Sequence, residues 1–123
     1  MVEPWHTPFS RLVYSYFHEE DFDLDWQPGL IYPAGKDPFE ANQAIPALAF
    51  GRFWDQLQRD VPELRLVEVE PFSLFAYLLS FGFQPRCFLP RRLYPALARV
   101  EQATRFLWVR PAALRALIVV ERA

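Results

Sequence analysis

Apolar residues recur along this chain at helical spacing, at strand spacing and in continuous runs, and each pattern predicts an element. Thr7 followed by Pro8 reads as a helix cap and first helical position, since proline has no N–H to lose there and its φ is already helical. Leu12, Val13, Tyr16 and Phe17 then give one apolar stripe to a helix over 8–18. Residues 19–36 turn acidic and carry Pro28-Gly29 and Pro33-Ala34-Gly35, which predicts a long loop. Asp37-Pro38-Phe39-Glu40 has the form of a second helix start, with the helix running to about Asp60 and kinked or split near Ala44 by Pro46. Val67 and Val69 alternate with Glu68 and Glu70, predicting a partly buried strand over 64–70. An apolar helix over 72–80 should end at Gly82. Another helix over 92–107 should bury Leu93, Leu97, Val100 and Leu107 and leave Arg99, Glu101, Gln102 and Arg105 largely on other faces.

The last element is the most informative. Ala116-Leu117-Ile118-Val119-Val120 is an unbroken, largely β-branched run, the pattern of a strand covered on both faces of its sheet. Such a strand needs hydrogen-bonded neighbours along both edges. The segment 64–70 supplies one, and the only other candidate is the stub Met1-Val2-Glu3. The fold class expected is therefore α/β, with either a sheet that continues beyond this chain or one completed by a partner.

Composition narrows the function classes. The 123 residues are 52% hydrophobic and 17% aromatic, too apolar for a disordered chain, and long enough for one domain or part of one. A net charge of −2, with no basic run beyond Arg91-Arg92, argues against nucleic acid as a partner. The single Cys87 excludes an internal disulfide and any multi-cysteine metal site, which fits a reducing, cytoplasmic setting. No secretory leader is evident at the start. The longest uncharged stretch, Pro71 to Pro85, is shorter than the roughly 20 residues of a bilayer span, so no transmembrane segment is expected.

Several short words resemble landmarks of class I S-adenosylmethionine-dependent methyltransferases, specifically the C-terminal half of a type 11-like bacterial subgroup. Glu3-Pro4-Trp5-His6-Thr7-Pro8-Phe9-Ser10 is similar to the segment leaving that family's fifth strand, and His18-Glu19-Glu20-Asp21-Phe22-Asp23 to the acidic loop after the next helix. Asp37-Pro38, Asn42-Gln43-Ala44-Ile45-Pro46, Pro62-Glu63-Leu64, Leu78-Leu79-Ser80 with Gly82, and Ile118-Val119-Val120-Glu121-Arg122 continue the series. The resemblance implies a partial Rossmann-like sheet, made of its last strands and flanking helices and incomplete without an N-terminal half. It implies that the final strand lies antiparallel between the family's fifth and sixth strands. It also implies that Met1 falls inside the family's domain, as a late internal start or a split gene would produce. Phe81 replaces a common small residue, and Phe17-His18 stands where a His-His pair is common.

In that family the cofactor is held by a glycine-rich loop and an acidic residue of the front half. Here the four glycines, at positions 29, 35, 51 and 82, have no fingerprint spacing, so no cofactor-binding residue is expected in this chain. The expected function is the acceptor side of a methyltransferase, inactive alone. S-adenosylmethionine would be bound only after completion by the missing half. The alternative is a non-catalytic interaction module that dimerises or pairs through an exposed sheet edge.

Substrate-contact candidates are His6, Tyr14, His18 and Asn42. The two histidines flank the first helix, and a neutral imidazole can accept a hydroxyl proton near pH 7. Asn42 and Gln43 are amides in an apolar setting, so one can face a pocket while the other meets solvent. No residue carries a family-wide catalytic signature. The carboxylates around Asp21, Asp23 and Asp25 match no metal-loop spacing and read as a solvated loop, with no metal expected. Ser73 and Ser80 lack a hydrolase elbow, Cys87 has no partner pattern, and the aromatics of 71–83 read as packing rather than as a membrane face.

Overall fold

The computed structural model describes residues 1–18, 20–29, 42–80, 87 and 89–122. Its centre is a three-stranded antiparallel sheet of β1 (Val2–Pro4), β2 (Leu64–Phe72) and β3 (Arg115–Arg122), in the order β1-β3-β2. The continuous apolar run thus occupies the central strand, as its pattern requires. Val2 lies opposite Leu117 on one side, and Val69 opposite Ile118 on the other. Ala116 and Ile118 are fully buried, whereas Leu117 and Val119 on the opposite face are half-buried.

Helix α1 (Pro8–Phe17) starts as its sequence predicts. The Thr7 hydroxyl accepts from Ser10 N at 3.0 Å, and Ser10 Oγ accepts from Thr7 N at 2.7 Å, a reciprocal cap that satisfies two otherwise orphan donors. Its buried side, Ser10, Val13 and Tyr14, packs toward α5 (Tyr94–Ala112), while Leu12, Tyr16 and Phe17 face solvent. Val13, Leu74, Trp108, Ala113 and Leu114 form the main core cluster, closed by Tyr77 and Leu78 of α4 (Phe75–Ser80).

The expectations for the second helix, β2 and α5 change, and two others fall on residues that are not described. The capped start at Asp37-Pro38-Glu40 and the stop at Gly82 lie outside the described residues. The helix meant to run to Asp60 is broken into α2 (Ile45–Ala47), a π-helical turn (Leu48–Arg52) and α3 (Trp54–Asp60). Pro46 sits in the first turn of α2, which starts just after Ala44, where its missing N–H costs nothing. Strand β2 reaches Phe72, and the pairing shifts between Leu66, opposite Val120, and Glu68, opposite Val119. That bulge turns Val67 out to 52% exposure, so Val67 and Val69 do not share a face.

The largest correction concerns α5. Leu93, Val100 and Leu107, the stripe that periodicity assigns to the core, are 55%, 57% and 66% exposed. Glu101 and Trp108 point inward instead. The physical reason is a backbone requirement: the Glu101 carboxylate accepts from Leu74 N and, at 2.9 Å, from Ala76 N, satisfying the open donors at the start of α4. Arg105 of the same side is hydrogen-bonded to Glu70 and, at 2.9 Å, to the Pro71 carbonyl. No described helix is long and apolar enough to cross a membrane. Leu74 and Ala76 are buried, so the described part of 71–83 packs into the core, although Phe75 is exposed.

Candidate functional site

The chain leaves β1 at Pro4 and enters α1 at Pro8, and this short link is pinned at both ends. Trp5 N donates to the Leu114 carbonyl at 2.9 Å, and the Thr7 hydroxyl donates to the Ala113 carbonyl at 3.0 Å. His6 is held between them, its ring exposed on one edge and 6.0 Å from the Phe22 ring on another. Partial burial, followed by the charge of Arg11, holds its pKa below the usual 6.5. The imidazole is therefore mainly neutral at pH 7 and able to accept a proton.

Asn42 organises the facing loop. Its side-chain Oδ1 accepts from Asp23 N at 2.9 Å and from Ala44 N at 3.0 Å, while its Nδ2 donates to the Asp23 carbonyl at 2.8 Å. Gln43 N adds a bond to the Asp21 carbonyl at 2.9 Å. These bonds hold Phe22 stacked on Tyr14, with centroids 5.2 Å apart. Tyr14 is 1% exposed, and its hydroxyl donates to the Leu114 carbonyl at 2.5 Å. Burial pushes its phenol well above the ordinary value, and the Tyr77 hydroxyl bonded to it adds to the rise. His18 meets the Tyr14 ring edge-on at 5.8 Å, and its Nδ1 lies 3.4 Å from Glu20 N.

His6, Tyr14 and Asn42 thus converge on the segment Phe22-Asp23, and His18 joins them through the Tyr14 ring, but in different capacities. Only His6 lines an open cleft. Asn42 and Tyr14 are buried with their polar groups committed to backbone, and His18 packs on Tyr14. Asp23 Oδ1 accepts from Asp25 N at 2.8 Å in a local turn, and no group of three or more His, Cys, Asp or Glu among the described residues could hold a metal ion.

The cleft beside His6 has a volume of about 320 Å³ and is lined by Trp5, His6, Leu24, Ala47, Leu48 and Arg52. Of these, sequence reasoning singled out His6 alone, because the lining comes from three separated segments. Leu48 and Arg52, four residues apart at the two ends of the π turn, lie on the same side of the cleft wall. The Arg52 guanidinium lies 5.4 Å from the Phe53 ring centre and makes no ion pair with a described residue. A second cavity of about 170 Å³, between α5 and the β2–α4 link, contains Glu101 and Arg105. Both are already used as braces, so the cleft at His6 is the better candidate.

These residues do not fit an S-adenosylmethionine site. The cofactor's ribose hydroxyls call for a carboxylate acceptor, but the described lining has none and offers a guanidinium instead. Gly29 and Gly51 stand in open space, with no neighbour that a side chain would displace, so neither forms a close-approach cradle. Comparison of the chain with protein-family models, curated proteins and solved structures gives no match.

Proposed function

We propose that this chain forms the acceptor-binding portion of a class I S-adenosylmethionine-dependent methyltransferase, its cofactor held by a polypeptide segment outside these 123 residues. The observation that carries the reading is the arrangement of β3, antiparallel and between β1 and β2, with the cleft opening just beyond the carboxyl end of β1. Ligands of open α/β sheets bind outside the carboxyl ends of strands, where chain links such as Trp5-His6 diverge from the sheet. An antiparallel strand in that place is what the sequence resemblance leads one to expect of the last strand of such a sheet. The exposed apolar residues of α1 and α5, among them Leu12, Phe17, Val100 and Leu107, are consistent with helices that await further cover.

On this reading the chain's own residues bind and orient the acceptor. Trp5, Leu24 and Leu48 shield it from water, and the neutral His6 imidazole accepts the proton that the acceptor's hydroxyl or amine gives up. The chain alone is expected to be inactive. The test is photo-crosslinking with labelled S-adenosylmethionine, applied both to the purified chain and to the material co-isolated with it from its native cells. Label should appear on a companion segment in the native material and not on the purified chain. Label on the purified chain, or none in either sample, would sink the proposal.

The alternative is association through a sheet edge. It is weakened by the shortness of β1, three residues, and by the bulge at Val67 flanked by the exposed charges Arg65 and Glu68 on β2. Both features are ones that blunt strand addition.

A further inference from the structure

We infer that the cleft beside His6 takes a small, mainly apolar molecule bearing one carboxylate, which pairs with the Arg52 guanidinium while the apolar body lies against Trp5, Leu24 and Leu48. The first ground is charge. Arg52 makes no ion pair with a described residue, the Arg11 charge is felt at His6, and no carboxylate of the described residues lines the cleft. Among the described residues, the charges at the mouth therefore favour an anion and oppose a cation. The second is shape. At about 320 Å³ the cleft lies at the lower end of the roughly 300–1,000 Å³ typical of small-molecule sites, and four of its six lining residues are apolar or aromatic hydrocarbon in character. The third is the donor set. A planar guanidinium matches the two oxygens of a carboxylate, whereas a phosphate group would leave oxygens facing Leu24 and Leu48 without donors.

That the bound molecule is the methyl acceptor rests on the preceding reading; that it binds here does not. The experiment uses the full chain, titrated with 3-phenylpropionate, indole-3-acetate and octanoate, each compared with its uncharged amide, by calorimetry and by NMR of the His6 and Trp5 ring signals. At least one carboxylate should bind about ten-fold more tightly than its amide and shift both rings. Arg52→Gln should erase that preference while leaving the thermal unfolding temperature unchanged, since Arg52 is exposed. The inference is overturned if no carboxylate binds, if the amides bind as tightly, or if Arg52→Gln keeps the preference. A carboxylate that binds here but accepts no methyl group in the cofactor-labelled native material refutes the methyltransferase reading alone. Methyl transfer in that material without carboxylate binding at the cleft refutes the present inference alone.

Discussion

Replacing Glu101 by Ala tests the orientation of α5 most directly. The Glu101 side chain is 6% exposed, and both carboxylate oxygens accept backbone N–H groups, from Leu74 and Ala76. Charge-assisted hydrogen bonds contribute about 1.5–3 kcal/mol each, and a buried donor left without an acceptor costs about 1–3 kcal/mol. Because the two bonds share one side chain, their sum is not additive, and a loss of about 3–4 kcal/mol is expected. Against a total stability of roughly 5–15 kcal/mol this is a large fraction. With an m-value of roughly 2 kcal/mol/M, the urea midpoint followed by circular dichroism should fall by about 1.5–2 M. Leu107→Ser is the control, because Leu107 is 66% exposed and its change should stay within about 0.5 kcal/mol. An amphipathic α5 seated on its leucine stripe would give the reverse order. A destabilised Leu107→Ser beside an unchanged Glu101→Ala would refute the orientation described here.

Asn42→Ala removes three bonds that join residue 42 to Asp23 and Ala44, so it should cost about 2–3 kcal/mol and raise amide exchange at Asp23, with no change at β3. Persistent protection of the Asp23 amide would contradict that role. Ser73 has φ 63°, a left-handed conformation that a β-branched side chain tolerates poorly. Urea midpoints should therefore rank Ser73→Gly at or above the natural residue and Ser73→Val lower by about 1–2 kcal/mol; Val matching Ser would remove the argument. Burial raises the pKa of Tyr14 and of Tyr77 above 10.0. A raised acid is stabilising while it stays protonated, so this contribution is complete below pH 10 and lost as pH climbs past it. Tyr14→Phe should flatten the alkaline fall in melting temperature, and an unchanged slope would show that the phenol pair is not its source.

The sequence by itself determined those elements whose signal is local. Thr7-Pro8 specified the start of α1 through a cap within one turn, and the five-residue apolar run at 116–120 specified a strand needing two neighbours, which β1 and β2 supply. It also brought forward His6, Tyr14, His18 and Asn42, but the meeting of His6, Tyr14 and Asn42 on Phe22-Asp23, with His18 against Tyr14, was not visible in any spacing. What only the tertiary structure decided are the matters settled by distant partners. Periodicity weighs side-chain polarity along α5, but the unsatisfied N–H groups of Leu74 and Ala76 outweigh it and turn Glu101 inward. Alternation places Val67 and Val69 together, but the pairing of β2 with β3 shifts between Leu66 and Glu68 and puts a bulge at Val67. The cleft has the same origin, since Trp5-His6, Leu24 and the Ala47–Arg52 turn meet only after the sheet and the Asn42 bonds have fixed three separate segments, and no local pattern encodes that meeting.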